Sequence, residues 1–156
     1  MFSHLVSIAV FAVTMVSSKP LAARQGRCTP NFQGQAVSIH VVETGTKYCN
    51  VDGVTSFFIQ QDGQDPANFI IRDAANPNRA VTASGNNLDL KPASNAGNEQ
   101  DQLFEFACAN CAPDGIILAK TCTIQAKGQN LCFDGGSNNL QPCNGGNNQS
   151  FDIYKN

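Results

Sequence analysis

Few residues of this 156-residue sequence are able to do chemistry, and seven cysteines are prominent among them. Cys108 and Cys111 are separated by two residues, the spacing of redox-active dithiols and of zinc ligands. A zinc site needs further Cys or His ligands, and a thioredoxin-like dithiol follows a strand within a βαβ unit. Neither context is present, because His40 is the one histidine beyond the N-terminal segment and helical periodicity is absent. The cysteines are therefore predicted to form structural disulfides, with no metal and no cofactor.

Acid–base or nucleophilic catalysis would depend on His40. This residue lies in the alternating run Val37-Ser38-Ile39-His40-Val41, which predicts a strand with His40 on its polar face. The sequence contains no phosphate-binding, dinucleotide-binding or zinc-protease motif. The carboxylates Asp62, Asp65, Asp89 and Asp101 show no spacing that pairs two of them for glycoside hydrolysis. We expect that the protein is not an enzyme.

The N-terminal residues are typical of a secretion signal. Leu5 to Val16 is an apolar run that is too short to span a bilayer and has the length of a signal-peptide core. We expect Met1 to about Ala23 to be a signal peptide and residues 24–156 to form one secreted, extracellular domain. All seven cysteines lie in that domain, where three disulfides and one further thiol are the simplest outcome.

Charge and composition exclude two classes of partner. The net charge is −2, and only 14% of the residues are charged, so phosphate neutralisation by a basic surface is not expected. We therefore predict no nucleic-acid partner. We also predict no membrane partner, because the apolar run from Leu5 to Val16 is too short to span a bilayer.

The chain beyond the signal predicts an all-β domain. Short apolar runs are separated by turns rich in Asn and Gly, at steps of about ten residues. The Gly135-Gly136 and Asn144-Gly145-Gly146 clusters are expected to supply residues with positive φ for tight hairpins. Eleven strands are predicted: Ala36–Val42, Ser56–Gln60, Phe69–Arg72, Arg79–Ala83, Asn87–Lys91, Leu103–Ala107, Ile116–Ala119, Thr121–Gln125, Asn130–Phe133, Asn139–Pro142 and Phe151–Lys155.

An internal repeat is the most informative pattern. Phe57, Phe104 and Phe151 are spaced by 47 residues, and each begins a similar strand. The same offset equates Phe69-Ile70-Ile71 with Ile116-Ile117-Leu118. The segments before Pro92 and Pro142 are alike, and Gln102-Leu103-Phe104 parallels Gln149-Ser150-Phe151.

Three repeats of several short strands favour a closed structure, which leaves few exposed strand edges. We predict a disulfide-stabilised β-trefoil in which the repeats are related by a pseudo-threefold axis. An immunoglobulin-like sandwich is the alternative, but it predicts neither the threefold repeat nor the absence of tryptophan.

The third repeat resembles the ricin B-chain-like lectins. Its sequence reads Leu131-Cys132-Phe133-Asp134, then Leu140-Gln141-Pro142-Cys143, then Asn147-Asn148-Gln149-Ser150-Phe151. These runs match in order and spacing that family's Cys-Leu-Asp strand, its second cysteine and its Gln-x-Trp motif, with Phe151 in place of tryptophan. The resemblance covers about two thirds of residues 24–156, and the small secreted β-trefoil proteins of fungi are the most similar members.

The resemblance implies a carbohydrate site, of galactose type, in the third repeat. Its residues would be Asp134, Asn139, Gln141, Asn148 and Gln149. Asp134 would accept hydrogen bonds from two sugar hydroxyls, Asn148 would donate and accept, and Gln149 would hold Asp134 in place. Gln141 occupies the position of the family's aromatic platform. The second repeat lacks the carboxylate and has Ala93 and Asp101 where the third has Cys143 and Asn148.

The resemblance also implies a Cys132–Cys143 disulfide. For the other cysteines, Cys28–Cys49 would join the N-terminal segment to the first repeat. Cys111–Cys122 would leave Cys108, Cys108–Cys122 would leave Cys111, and a Cys108–Cys111 link is a third arrangement.

Two functions follow. The first is a secreted, lectin-like module that binds a glycan at no more than one site, in the third repeat. The alternative is a secreted inhibitor or effector that binds a protein, such as a protease, through the loops at Asp62–Pro66 and Pro92–Gln102. Competition by simple sugars would separate the two.

Overall fold

The computed structural model describes residues 27–32, 34–48, 51–62, 68–94, 99–111 and 115–156. These residues form an all-β domain with antiparallel pairing throughout and two single-turn 3₁₀ segments, Gln100–Gln102 and Asn147–Gln149. The all-β prediction is confirmed, whereas the expected signal peptide lies outside the described residues. The ten strands are β1 (Ala36–Val41), β2 (Phe57–Gln61), β3 (Asn68–Asp73), β4 (Arg79–Ser84), β5 (Asn87–Pro92), β6 (Leu103–Asn110), β7 (Ile117–Ala126), β8 (Leu131–Asp134), β9 (Asn139–Pro142) and β10 (Phe151–Lys155).

Six of the strands form a closed ring. Going round it, β1 pairs with β2, β2 with β3, β3 with β6, β6 with β7, β7 with β10, and β10 with β1 again. The hairpins β4–β5 and β8–β9 lie outside this ring and attach to β3 and β7, respectively.

Alternation of side chains explains how the ring encloses the core. In β1 the β-branched residues Val37, Ile39 and Val41 are buried, while His40 is only partly buried. The polar face predicted for His40 is confirmed. Its Nδ1 lies 3.2 Å from the Gly45 carbonyl oxygen, and its Nε2 lies 3.1 Å from Oγ of the buried Ser38.

The three phenylalanines of the sequence repeat occupy equivalent places. Phe57, Phe104 and Phe151 are all fully buried at or near the start of β2, β6 and β10. Each lies opposite residues of two neighbouring ring strands. Those partners are Val37 and Asp73 for Phe57, Phe69 and Ala126 for Phe104, and Cys122 and Val41 for Phe151.

The predicted equivalence of Phe69 with Ile116 is wrong. Phe69 lies opposite Phe104, and the residue that lies opposite Phe151 in the same way is Cys122. Ile116 is 66% exposed, whereas Phe69 is 1% exposed. The cause lies in β7, where two register shifts against β10 add residues to the strand. Thr121, in this irregular stretch, has a φ of +52°. The two strands predicted on either side of Lys120 are therefore one continuous strand.

Three disulfides join all six described cysteines, and the expected Cys28–Cys49 pairing is wrong. Cys28 is bonded to Cys111 and not to Cys49, which lies outside the described residues. The reason is a pair of 2.9 Å backbone hydrogen bonds between Cys28 and Cys108, which places Cys28 beside the end of β6. Of the arrangements considered for Cys122, the bond to Cys108 is present, since these residues lie opposite each other in β6 and β7.

The Cys132–Cys143 disulfide is confirmed and spans the β8–β9 hairpin. The third cross-link thus lies in the same hairpin as the expected carbohydrate site. Disulfides of this kind are typical of extracellular proteins. In the described part of the chain, no helix has the length and apolar character needed to cross a membrane.

Candidate functional site

The β8–β9 hairpin brings the predicted site residues together. Asp134 pairs with Asn139, and Cys132 pairs with Gln141, so these four side chains share the face of the hairpin that points away from the core. The alternate pair, Phe133 and Leu140, is buried in the core. Asn148 and Gln149 approach from the 3₁₀ segment that precedes β10.

The turn between the two strands, residues 135–138, is tight for two reasons. Asn138 has a φ of +53°, a conformation that Asn tolerates better than most residues. A Cβ on Gly135 would lie 2.5 Å from Cγ2 of Val41, so only glycine fits against β1 at this point. The expected positive φ is therefore found at Asn138 and not at Gly135 or Gly136, whereas Gly145 has the expected positive φ, +72°.

Asp134 is buried and bonded on both carboxylate oxygens. Its side chain is 3% exposed, Oδ1 accepts a hydrogen bond from the Ser137 backbone N–H at 2.8 Å, and Oδ2 accepts one from Asn148 Nδ2 at 2.5 Å. A further bond runs from the Gly135 N–H to the Asn148 carbonyl oxygen at 2.7 Å. Asp134 thus joins the hairpin turn to the 3₁₀ segment and orients the Asn148 amide.

Gln149 has a different role from the one expected. Its Nε2 donates to the Pro142 carbonyl oxygen at 3.0 Å, and its Oε1 accepts from the Asn144 N–H at 2.9 Å. The side chain is 1% exposed and fastens the end of β9 to the segment before β10. The residue that holds Asp134 is therefore Asn148 and not Gln149.

The remaining two predicted residues lie nearer the surface. Asn139 and Gln141 occupy alternate positions on β9 and are both partly buried. Gln141 Nε2 lies 3.5 Å from Ser137 Oγ, so its amide makes at most a weak contact with the turn. Together with Asn148, also partly buried, they present amide donors and acceptors at the rim of the hairpin.

This arrangement combines a rigid base with an accessible polar rim. Buried Asp134 and Gln149 fix the backbone, and Asn139, Gln141 and Asn148 supply groups that can hydrogen-bond to hydroxyls. Sequence reasoning missed the Ser137 backbone N–H and the close contact at Gly135, although the Gly135-Gly136 pair was a signal for a crowded turn. Among the described residues, no group of three His, Cys, Asp or Glu is placed to hold a metal ion.

The chain matches no family model, and no curated protein is significantly similar to it.

Proposed function

We propose that the chain is a secreted β-trefoil protein that binds carbohydrate, without catalysis, at a site in the third repeat. Three observations support the β-trefoil. Six strands form a closed ring, two hairpins attach to alternate parts of it, and Phe57, Phe104 and Phe151 occupy equivalent buried places.

A hydrogen bond that recurs three times also supports the pseudo-threefold arrangement. In each of β1, β3 and β7, one outward side chain is bonded to a carbonyl oxygen in the turn that follows the strand. The three pairs are His40 with Gly45 at 3.2 Å, Arg72 with Pro77 at 2.9 Å, and Gln125 with Gln129 at 2.5 Å. Three different side chains at one structural position are typical of a diverged repeat.

The observation that carries the binding function is the bond between Asp134 and Asn148. It orients an amide beside the two amides of Asn139 and Gln141 on a disulfide-bonded hairpin. Sugars are recognised by donors and acceptors fixed in this way, because little side-chain freedom is lost on binding. Asp134 then acts as a positioning residue, while Asn139, Gln141 and Asn148 contact the hydroxyls.

Secretion is part of the proposal and is supported by the three disulfides, which persist in oxidising compartments. In the two loops expected to bind a protein partner, Asp62–Pro66 and Pro92–Gln102, residues 63–66 and 95–98 lie outside the described part of the chain. The structure therefore describes only parts of the loops on which the alternative, binding of a protein partner, depends. The carbohydrate proposal rests on the third-repeat hairpin.

The test is a galactose titration monitored by NMR, together with a glycan-array screen. We expect Asn148→Ala and Gln141→Ala each to weaken binding about tenfold, the effect of losing one good hydrogen bond. Asp134→Asn should weaken binding through Asn148, while Asp89→Asn is the matched control because Asp89 is the exposed counterpart of Asn139 in the β4–β5 hairpin.

Two results would overturn the proposal. One is the absence of binding to galactose and to every glycan of the array by the folded wild-type protein. The other is binding that Asn148→Ala, Gln141→Ala and Asp134→Asn all leave unchanged, which would place any sugar elsewhere.

A further inference from the structure

A cleft lies on the outer face of the β2–β3 pair, on the first and second repeats. Its volume is about 430 Å³, within the range of small-ligand sites, and its lining residues are Gly34, Phe58, Gln60, Arg72 and Pro77. Phe58 and Gln60 are alternate residues of β2, and Arg72 of β3 lies directly opposite Phe58. A smaller adjoining cavity of about 200 Å³ shares Gly34 and Gln60 with it.

Phe58 is an aromatic residue where the other repeats have carboxylates. Counting 47 residues on from Phe58 gives Glu105, and a further 47 gives Asp152. Phe58 is only partly buried, so its ring is not one of those that fill the core. A partly exposed aromatic ring with a polar neighbour such as Gln60 is the kind of platform on which the C–H face of a sugar ring packs.

Arg72 adds a fixed positive charge to this platform. Its Nη1 donates to the Pro77 carbonyl oxygen at 2.9 Å and its Nη2 to the Ser94 carbonyl oxygen at 3.2 Å, so the guanidinium is held in place. Both partners are neutral, and the ion pair found among the described residues joins Arg79 to Asp52 instead. Two of the five N–H groups of the guanidinium are engaged, and its buried Nε has no partner among the described residues.

These features differ from the corresponding places on the other repeats. Phe58 and Arg72 face each other across β2 and β3. The equivalent pair across β6 and β7 is Glu105 with Gln125, and across β10 and β1 it is Asp152 with His40. Only the Phe58 cleft combines an aromatic face with a charge that no described carboxylate neutralises. Arginine is well suited to a carboxylate ligand because its planar N–H groups match the two oxygens.

We propose that this cleft binds a uronic acid residue of an oligosaccharide, with the sugar ring on Phe58 and its carboxylate on the Arg72 guanidinium. The inference rests on the proposed carbohydrate binding but names a second site, remote in sequence from the β8–β9 hairpin, and a class of acidic sugar. Gln60, which is exposed on the same face, would hydrogen-bond to the ring hydroxyls.

The experiment is an NMR titration of the mature chain with three sugars that differ only at C6: galactose, galacturonic acid and galacturonic acid methyl ester. Glucuronic acid is a second acidic probe. We expect the acids to bind at least about tenfold more tightly than the methyl ester, with the largest shifts at Phe58, Gln60 and Arg72. Salt should weaken this preference, because the charge on Arg72 is partly exposed.

Two variants copy residues that the other repeats carry at the same structural positions. Arg72→Gln takes the residue of Gln125, and Phe58→Glu takes that of Glu105. Both should remove the preference for the acids, by about tenfold or more, and Arg79→Gln is the matched control for loss of an arginine outside the cleft. Thermal unfolding of each variant shows whether it is folded. If Arg72→Gln does not fold, Arg72→Lys is used in its place, since it keeps the positive charge but loses the planar guanidinium.

The readouts separate this proposal from the hairpin site. Loss of acid binding in Arg72→Gln and Phe58→Glu, but not in Arg79→Gln, supports the cleft proposal whether or not the protein binds galactose. The cleft proposal is overturned if neither acid binds, if both variants bind the acids as the wild type does, or if inorganic phosphate competes as well as the acids, which would indicate a plain anion site. Competition by an acidic peptide alone would indicate a protein partner and would also overturn it. Failure of Asn148→Ala and Gln141→Ala to affect galactose binding concerns only the hairpin.

Discussion

In both the β4–β5 and the β8–β9 hairpins, a buried glutamine from the next 3₁₀ segment fastens the end of the second strand. Gln102 Nε2 donates to the Pro92 carbonyl oxygen at 2.9 Å, and Gln102 Oε1 accepts from the Ser94 N–H at 2.8 Å. Gln149 makes the same two bonds with Pro142 and Asn144, at 3.0 and 2.9 Å. The two glutamines are 47 residues apart in the sequence and are equally buried.

The hairpins differ in the side chains attached to this common frame. Strand register equates Ala80 with Cys132 and Thr82 with Asp134. Thr82 Oγ1 accepts a bond from Gln102 Nε2 at 3.2 Å, whereas Asp134 turns to Asn148 and the Ser137 N–H. The third-repeat hairpin therefore has a disulfide and an oriented surface amide that the second-repeat hairpin lacks.

The comparison separates the bonds that both hairpins make from those that only the third-repeat hairpin makes. The glutamine bonds satisfy a backbone carbonyl oxygen and a backbone N–H at the end of the second strand, and they recur in both hairpins. The Asp134–Asn148 bond joins two side chains and satisfies no backbone group. The third-repeat hairpin thus carries polar contacts beyond the frame that the two hairpins share.

The largest effect is expected from the buried phenylalanines that both repeats share. Phe104→Ala and Phe151→Ala should each lower the free energy of unfolding by about 3–5 kcal/mol, because each leaves a cavity in the core. Chemical denaturation measures the loss. Ile116→Ala is the control, because Ile116 is exposed just before β7, and its loss of stability should be under about 0.5 kcal/mol. A loss below 1 kcal/mol in either phenylalanine variant, far from the range above, would contradict their equivalence.

The disulfide is the next largest difference. Cys132→Ala with Cys143→Ala should destabilise the protein by about 3 kcal/mol, the chain-entropy value for a short loop. In the opposite direction, Ala80→Cys with Ala93→Cys should form a new disulfide in the β4–β5 hairpin and raise the melting temperature. Thiol titration and thermal unfolding follow both changes, and free thiols in the oxidised Ala80→Cys/Ala93→Cys variant would show that the two hairpins do not share one frame.

The shared glutamines should be equivalent in stability. Gln102→Ala and Gln149→Ala each remove two hydrogen bonds made by a buried side chain, so each should cost about 2–3 kcal/mol. Gln141→Ala, whose side chain makes only a 3.5 Å contact, is the control and should cost under about 0.5 kcal/mol. Urea denaturation compares the three, and a glutamine whose removal costs no more than the control would not be part of the common frame.

The smallest effect concerns the irregular strand β7 beside the regular strand β3. Thr121, a β-branched residue with a φ of +52°, is strained, so Thr121→Gly should stabilise the protein by about 1 kcal/mol. Its backbone N–H is bonded to Asp152 Oδ1 at 2.8 Å, and the glycine variant keeps that bond. Thermal unfolding gives the sign, and a clear destabilisation would mean that the Thr121 side chain has a role beyond its backbone conformation.

Local patterns in the sequence account for much of this structure. The alternation around Ile39 predicted a strand, and the 47-residue spacing of the phenylalanines predicted equivalent buried positions, both of which the structure contains. The parallel between Gln102 and Gln149 belongs to the same repeat, and the two side chains are equally buried. These features are readable because side chains alternate along a strand and because a repeated unit buries the same positions. The pairing of Cys132 with Cys143 was implied by the resemblance and is present in the structure.

The tertiary structure alone decided the features that depend on distant segments meeting. The sequence could not show that Cys28 reaches Cys111, since 83 residues separate them and Cys28 lies beside β6 only through its backbone bonds to Cys108. Nor could it show that Asn148 and not Gln149 holds Asp134, or that extra residues in β7 move Ile116 to the surface. The Phe58 cleft arises in the same way, because Arg72 meets Phe58 only when β3 pairs with β2. Residue order determines which faces are apolar, but closure of the ring determines which side chains become neighbours.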